Sequence, residues 1–125
     1  MKRLLIVDDN GVVQDILRQF FEGRYTIQVA SNAAQALSLI MRQAPDAVIL
    51  DIKMPGLDGL SLLKSLRQTG VAVPIFVMTG YDSPQVAQDA LGSGATGYLP
   101  KPFDLLHLDR VVADAVAAGT LQSAS

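Results

Sequence analysis

The side chains with the clearest capacity for chemistry are carboxylates that follow short apolar runs. Asp51 follows the apolar residues 47–50, and the pair Asp8 and Asp9 follows residues 4–7. An uninterrupted apolar run of this length is typical of a parallel strand that is buried on both faces. Open α/β sheets place their chemistry at the carboxyl ends of such strands. We therefore expect the three acids to meet at one edge of one sheet.

Two further polar residues follow apolar runs in the second half of the chain. Thr79 comes after residues 75–78, and Lys101 comes after residues 98–100. A lysine supplies a point charge for a tetrahedral anion, and a threonine hydroxyl supplies a directional hydrogen bond. Together they predict a cradle for a phosphoryl group beside the acids.

The acids themselves predict a magnesium site. Three crowded carboxylates repel one another, and one of them takes up a proton unless a cation neutralises the group. Oxygen ligands completed by water suit Mg²⁺, which gives up its own water reluctantly. A carboxylate beside a bound divalent ion can itself accept a phosphoryl group. The pattern therefore fits phosphoryl transfer to Asp51, driven mainly by positioning and charge neutralisation.

The elements that position these residues alternate between strand and helix. Five βα units imply a parallel sheet with right-handed crossovers and helices on both faces. The second strand, residues 25–30, alternates apolar with polar residues, and the fifth, residues 96–100, contains glycine and proline. Both features are typical of edge strands. The sequence thus predicts an α/β fold, a flavodoxin-like (βα)5 doubly wound parallel sheet with strand order 2-1-3-4-5.

Apolar spacing and capping residues predict the helices. The first helix follows from apolar residues three and four apart, and Asn32 with Gln35 resembles the capping box of the second. The last helix begins near Asp104. The helix after residues 82–84 has a thin apolar stripe and should be the least firmly held. The apolar residues of the first helix are Val12, Val13, Ile16, Leu17, Phe20 and Phe21, and the second helix is predicted to be buried through Ala36, Leu37, Ile40 and Met41.

Taken in order, five short motifs resemble the receiver domain of two-component response regulators. They are Asp8–Asp9, Asp51, the Met-Pro-Gly of residues 54–56, the Thr-Gly of residues 79–80 and the Lys-Pro-Phe of residues 101–103. Each motif alone is weak, but five in register over essentially the whole chain are specific. The resemblance implies a phosphoaccepting signalling switch that assists its own phosphorylation and dephosphorylation, rather than an enzyme.

The resemblance also implies a metal site and a phosphoryl donor. Asp51 would accept the phosphoryl group from a phosphohistidine on a sensor histidine kinase or a histidine phosphotransfer protein. Asp9 and Asp51 would bind Mg²⁺ directly, and Asp8 directly or through water. The backbone carbonyl of Lys53 would be the remaining protein ligand.

The same resemblance implies the residues that respond to phosphorylation. Lys101 would pair with the phosphoryl oxygens, and Thr79 would move to contact them. Tyr98 would swing inward behind Thr79. The surface around Thr79 and Tyr98 would therefore switch and bind a downstream protein target that the sequence does not identify.

Length, charge and composition limit the remaining possibilities. The 125 residues suit one domain, and we predict a receiver domain over residues 1–118 followed by a tail or the start of a linker over residues 119–125. A net charge of −2 without a basic patch gives no footprint for direct nucleic-acid binding. No apolar segment is long enough to span a membrane, so we expect a cytoplasmic protein. It would act through protein contacts or form one piece of a longer regulator or hybrid kinase.

Two functions from other classes compete with this interpretation. A flavodoxin-type flavin carrier needs a hydroxyl- and glycine-rich phosphate loop after the first strand, where this chain has the acids Asp8 and Asp9. A phosphatase with an aspartyl nucleophile normally carries a second acid two residues later, where this chain has Lys53. Flavin absorbance, or turnover of a simple phosphate monoester, would support these alternatives.

Overall fold

The computed structural model describes residues 1–54, 57–79, 84–100 and 104–124. For residues 53, 54, 57, 58, 84 and 119–124 it describes the backbone only. In chain order its elements are β1 (Arg3–Val7), α1 (Gly11–Phe21), β2 (Thr26–Ala30), α2 (Ala33–Arg42), β3 (Ala47–Asp51), β4 (Lys53–Met54), β5 (Leu57–Asp58), α3 (Gly59–Gln68), β6 (Ile75–Thr79), α4 (Pro84–Gly92), β7 (Gly97–Pro100) and α5 (Leu105–Ala124).

Five parallel strands form the main sheet in the order β2-β1-β3-β6-β7. Counted within this sheet alone, the order is 2-1-3-4-5, which confirms the predicted fold class. Strands β3 and β6 are buried along their whole length, as their uninterrupted apolar runs indicated. Strands β2 and β7 lie at the two edges and are partly exposed. The short strands β4 and β5 follow β3 in the chain and form a separate antiparallel pair.

Each face of the sheet carries its own hydrophobic core, because alternate strand residues point to opposite faces. One core lies beneath α2, α3 and α4 and includes Leu63, Ala36 and Ala90. The other lies beneath α1 and α5 and includes Phe21 and Leu108. Both cores end at the carboxyl edge of the strands, where the polar residues begin.

The predicted burial of Leu37 and Met41 on α2 was wrong, because both side chains face outward. On α1, Val12 is 67% exposed and Ile16 46% exposed, so they lie on the solvent side of that helix. Adjacent apolar residues on a helix point about 100° apart. A helix that rests on a sheet has a partner on one side only, so one member of each pair faces solvent. The predicted residues that are buried on these two helices are Leu17, Phe21, Ala36 and Ile40.

Side-chain caps begin α1, α2 and α5. The Oδ1 atom of Asn10 accepts from the backbone N–H of Val12 at 2.9 Å. Asn32 accepts from Gln35 N–H at 2.9 Å, as predicted, although the Gln35 side chain returns to the N–H of Ser31 rather than to the cap residue. Asp104 accepts from Leu106 N–H at 2.9 Å. Each bond satisfies a donor that has no partner within its helix.

Helix α4 is anchored by little buried apolar surface, and helix α5 continues beyond the predicted end of the domain. In the part of α4 whose side chains are described, Ala90 alone is fully buried and Leu91 is exposed, which confirms the thin apolar stripe. Helix α5 extends to Ala124, so most of the predicted tail over residues 119–125 continues its backbone. The boundary at residue 118 stays a prediction. None of the described helices is long and apolar enough to span a membrane.

Candidate functional site

The register of β1 against β3 brings the predicted acids together. Val7 pairs with Leu50, so Asp8 and Asp51 occupy the next position on two neighbouring strands. One carboxylate oxygen from each of Asp8, Asp9 and Asp51 lies within 4.8 Å of the others. Residues that are more than 40 positions apart in the sequence thus form one cluster.

Burial differs sharply within this cluster. Asp8 is fully buried and Asp51 is 5% exposed, while Asp9 is exposed at the mouth of the site. Burial removes water from the two inner carboxylates, and their mutual repulsion is strong in so poorly solvated a place. Hard oxygen donors alone, two of them buried and one open to water, fit a Mg²⁺ ion that keeps part of its hydration shell. The chemistry of the donor set therefore suits the predicted ion.

The backbone around the acid pair is fixed by hydrogen bonds to β2, to α1 and within the turn that precedes α1. The N–H of Asp8 donates to the carbonyl oxygen of Ala30 at the end of β2, at 3.1 Å. The Oδ1 atom of Asp8 accepts from the N–H of Asn10 at 2.9 Å. The carbonyl oxygen of Asp8 accepts from the side-chain amide of Gln14 on α1. Gln14 was not anticipated from the sequence, since its polar partners lie on other elements.

Thr79 lies one strand away from the acids. Asp51 pairs with Met78 in the β3–β6 register, so Thr79 stands one position further along at the same edge. The Thr79 side chain is fully buried. On its other side Thr79 pairs with Pro100, the residue before Lys101. Lys101 itself, like residues 80–83, lies outside the described residues.

Tyr98 is half-buried on the edge strand β7 and pairs with Val77. Its ring packs against the core that contains Ala90 of α4. Tyr98 therefore lies between the weakly anchored helix and the strand that ends at Thr79.

Gly59 is a second site residue that was not predicted from the sequence. Its N–H donates to the carbonyl oxygen of Ile52 at 3.0 Å. A Cβ atom on Gly59 would overlap the Cα atom of Ile52 and lie 3.0 Å from the carbonyl oxygen of Asp51. The first residue of α3 thus touches the backbone that carries Asp51 and leads into Lys53. Its only sequence signal was a glycine after Asp58, which also fits an ordinary helix start.

Known proteins resemble this chain over most of its length. The family profile of the response regulator receiver domain matches residues 4–113. The response regulator MprA of Mycobacterium sp. (strain KMS) is 45% identical over 108 residues, which are 85% of this chain and 46% of that protein. MprA of Mycobacterium leprae (strain TN) is 44% identical over the same share of this chain. The chain spans about half the length of these curated relatives.

Solved structures give the same result. The receiver domain of the Francisella response regulator 1452 superposes with a TM-score of 0.90 at 31% identity, covering 95% of this chain and 99% of that one. A CheY-like receiver domain protein from Methanospirillum hungatei JF-1 superposes with a TM-score of 0.89 at 28% identity, covering 98% of both chains.

Proposed function

The chain belongs to the response regulator receiver domain family, the phosphoaccepting switches of two-component signalling, and from this premise we propose that Asp51 is its phosphoacceptor. The observation that carries this proposal is the convergence of Asp8 and Asp9 on Asp51 at the carboxyl edge of the sheet. Membership of this family does not favour the flavin-carrier or phosphatase alternatives.

Asp8, Asp9 and Asp51 would hold Mg²⁺, together with the backbone carbonyl of Lys53. When bound, the ion neutralises the carboxylates and the charge on the incoming phosphoryl group. The side chains of this cluster are all carboxylates, which is the ligand type that this hard cation prefers.

In the reaction, a carboxylate oxygen of Asp51 attacks the phosphorus of a phosphohistidine on the donor protein. The new O–P bond forms as the P–N bond breaks, and the electron pair of that bond stays with the donor imidazole. Asp51 is presented at the end of a buried strand, so little of its position has to be established during the reaction. Lys101 pairs with the phosphoryl oxygens, and the buried Thr79 supplies a hydroxyl donor from the next strand. The domain in this way assists its own phosphorylation.

The partner that supplies the phosphoryl group is a sensor histidine kinase or a histidine phosphotransfer protein. The output surface comprises α4 and Tyr98, next to the buried Thr79. Support for this surface comes from the shallow anchoring of α4 and from the place of Tyr98 between α4 and β6. The curated relatives are about twice as long as this chain. The proposal therefore concerns the receiver domain and not the activity of a longer protein.

Intact mass tests the assignment directly. The protein is incubated with Mg²⁺ and a small phosphodonor such as acetyl phosphate, and its mass is followed over time. We expect the addition of one phosphoryl group that is lost in base, and no addition after chelation of the metal. Asp51→Asn should abolish labelling, whereas Asp15→Asn, which changes an exposed acid on α1, should label like the parent. Undiminished labelling of Asp51→Asn would contradict the proposal.

A further inference from the structure

The side-chain amide of Gln14 joins two loops at the carboxyl edge of the sheet. Its Nε2 atom donates to the backbone carbonyl oxygen of Asp8 and, at 3.1 Å, to the hydroxyl oxygen of Ser31. Gln14 is half-buried near the start of α1. Because a carbonyl oxygen can only accept, the nitrogen of the amide and not its oxygen must face Asp8.

The bond from Gln14 fixes the peptide group that leads into Asp9. A peptide group is planar, so holding the Asp8 carbonyl oxygen sets the orientation of the whole plane. The peptide group on the other side of Asp9 is also held, because the N–H of Asn10 donates to Asp8 Oδ1 at 2.9 Å. Asp9 is therefore bracketed by two fixed peptide planes, and Gln14 supplies one of them.

This bracketing matters because the Asp9 side chain has little else to direct it. The Asp9 carboxylate is exposed, and no hydrogen bond or ion pair from the described part of the chain holds it. Its direction toward Asp8 and Asp51 is thus set mainly by its backbone. A ligand whose position is fixed in advance binds a metal more tightly, since less conformational freedom is lost on binding.

We infer that Gln14 is a positioning residue for the magnesium site, acting through the peptide that carries Asp9. The inference rests on the proposed function, because it assumes that the three acids hold the ion. Gln14 does not touch the ion or the phosphoryl group. Its effect should therefore appear in the affinity for Mg²⁺ before any phosphodonor is present. Through Ser31, the same amide also ties the acid turn to the loop before α2.

Calorimetric titration of the 125-residue chain with Mg²⁺ alone measures this effect. Gln14→Met keeps the length and neutrality of the side chain but removes both donors. We expect its Kd for Mg²⁺ to rise about threefold to tenfold, which corresponds to the loss of one hydrogen bond. The matched control is Gln19→Met, which changes an exposed glutamine on the same helix and should bind like the parent. Labelling rates plotted against Mg²⁺ concentration should shift by the same factor for Gln14→Met.

A second measurement keeps the inference open to refutation. Amide exchange without metal should rise in Gln14→Met at Asp9 and Asn10 while the strands stay protected. Equal Kd values for Gln14→Met and Gln19→Met would overturn the inference, as would an even rise in exchange over the whole chain.

Failure of this inference can be told apart from failure of the proposed function. If Asp51→Asn is still labelled, the proposed function is wrong whatever Gln14 does. If Asp51→Asn is not labelled and the two glutamine variants bind Mg²⁺ alike, only the role of Gln14 is wrong.

Discussion

Gly59 shows how much the position of Asp51 depends on a residue that performs no chemistry. The first turn of α3 approaches the backbone after Asp51 so closely that only a hydrogen atom fits between them. Any side chain would push α3 away from Ile52 or shift the end of β3. Since phosphoryl transfer depends on positioning, such a shift would reach the reaction as well as the fold.

We expect Gly59→Ala to destabilise the domain by about 1–3 kcal/mol, the usual cost of forcing extra atoms into a packed site. Labelling of Asp51 by acetyl phosphate should also slow. Urea unfolding and timed intact mass measure the two effects. Gly11→Ala is the control, because nothing lies within 4 Å of a Cβ atom there. A Gly59→Ala protein as stable as Gly11→Ala would show that α3 can move without cost.

Tyr25 gives a second prediction for a single residue, far from the acids. Burial raises the pKa of its hydroxyl above 10.0, and the Asp109 carboxylate raises it further, while Arg24 partly offsets the effect. A raised pKa means that the folded state holds the proton more tightly than the unfolded chain. The stability contributed by neutral Tyr25 is therefore fully present below pH 10 and is lost as the pH rises through the raised pKa.

Urea midpoints of the parent and Tyr25→Phe between pH 8 and pH 11 test this titration. Phenylalanine cannot titrate, so the parent should lose stability relative to Tyr25→Phe only in the upper part of the range. Below pH 10 the difference between the two proteins should stay constant. A difference that stays constant up to pH 11 would mean that the folded structure does not perturb Tyr25.

At the scale of elements, α4 is held at its C-terminal end by a residue of another helix. The guanidinium of Arg67, in the last turn of α3, donates to the Gly94 carbonyl oxygen at 2.9 Å. It also donates to the carbonyl oxygens of Val71 at 2.9 Å and Val73 at 2.8 Å. Helix α4 has no basic residue in its own last turn, so Arg67 supplies the positive charge that favours a helix C-terminus. Burial lowers the pKa of Arg67, but its guanidinium remains charged at any ordinary pH.

Arg67→Ala should therefore loosen the C-terminal end of α4. Three backbone carbonyls lose their donor, for which we expect a loss of about 1–3 kcal/mol. Amide exchange should rise most in residues 93–96, beside the lost contact. Arg18→Ala, which changes an exposed arginine on α1, is the control. A rise in amide exchange that is confined to α1, or no change in either variant, would contradict this role of Arg67.

Anchoring at one end also predicts how the proposed switch moves. Beryllofluoride, a mimic of the phosphoryl group, should alter amide exchange in α4 and around Tyr98, and least near Gly94, where Arg67 holds the loop. Helix α2 should change little, because its Ala33, Ala36 and Ile40 are buried in the core. Changes in amide exchange concentrated on α2 would show that the proposed output surface, around α4 and Tyr98, is wrong.

The elements also show what the sequence could predict. Solid apolar runs identified β3 and β6 as central strands, and the alternation before Ala30 identified β2 as an edge, because strand burial follows a period of two. The buried face of α2 was only half predicted, since Leu37 and Met41 are as apolar as Ile40 and only the sheet decides between them. Gln14 and Gly59 escaped prediction for a related reason. Their partners are atoms that lie far away in the sequence or in another element, which no local pattern reveals.

On the scale of the whole molecule, the acid cluster opposes the fold that creates it. The strands β1 and β3 are central to both cores, and their ends force Asp8 and Asp51 together out of water. We expect repulsion between these carboxylates to lower the stability of the entire domain, because a domain of this size unfolds as one unit. A cation that binds only the folded state should reverse this loss.

Thermal unfolding with and without Mg²⁺ measures both the loss of stability from carboxylate repulsion and the gain from cation binding. In the absence of metal, Asp9→Asn should be more stable than the parent, because it removes one of three clustered charges. Saturating Mg²⁺ should stabilise the parent by about 2.7 kcal/mol when its concentration is 100 times Kd. Asp9→Asn should gain far less, so that the order of stability inverts. Asp15→Asn, whose change lies on the exposed face of α1, should follow the parent in both conditions. If the unfolding midpoint of the parent did not change with Mg²⁺, these carboxylates would not hold the ion in the folded protein.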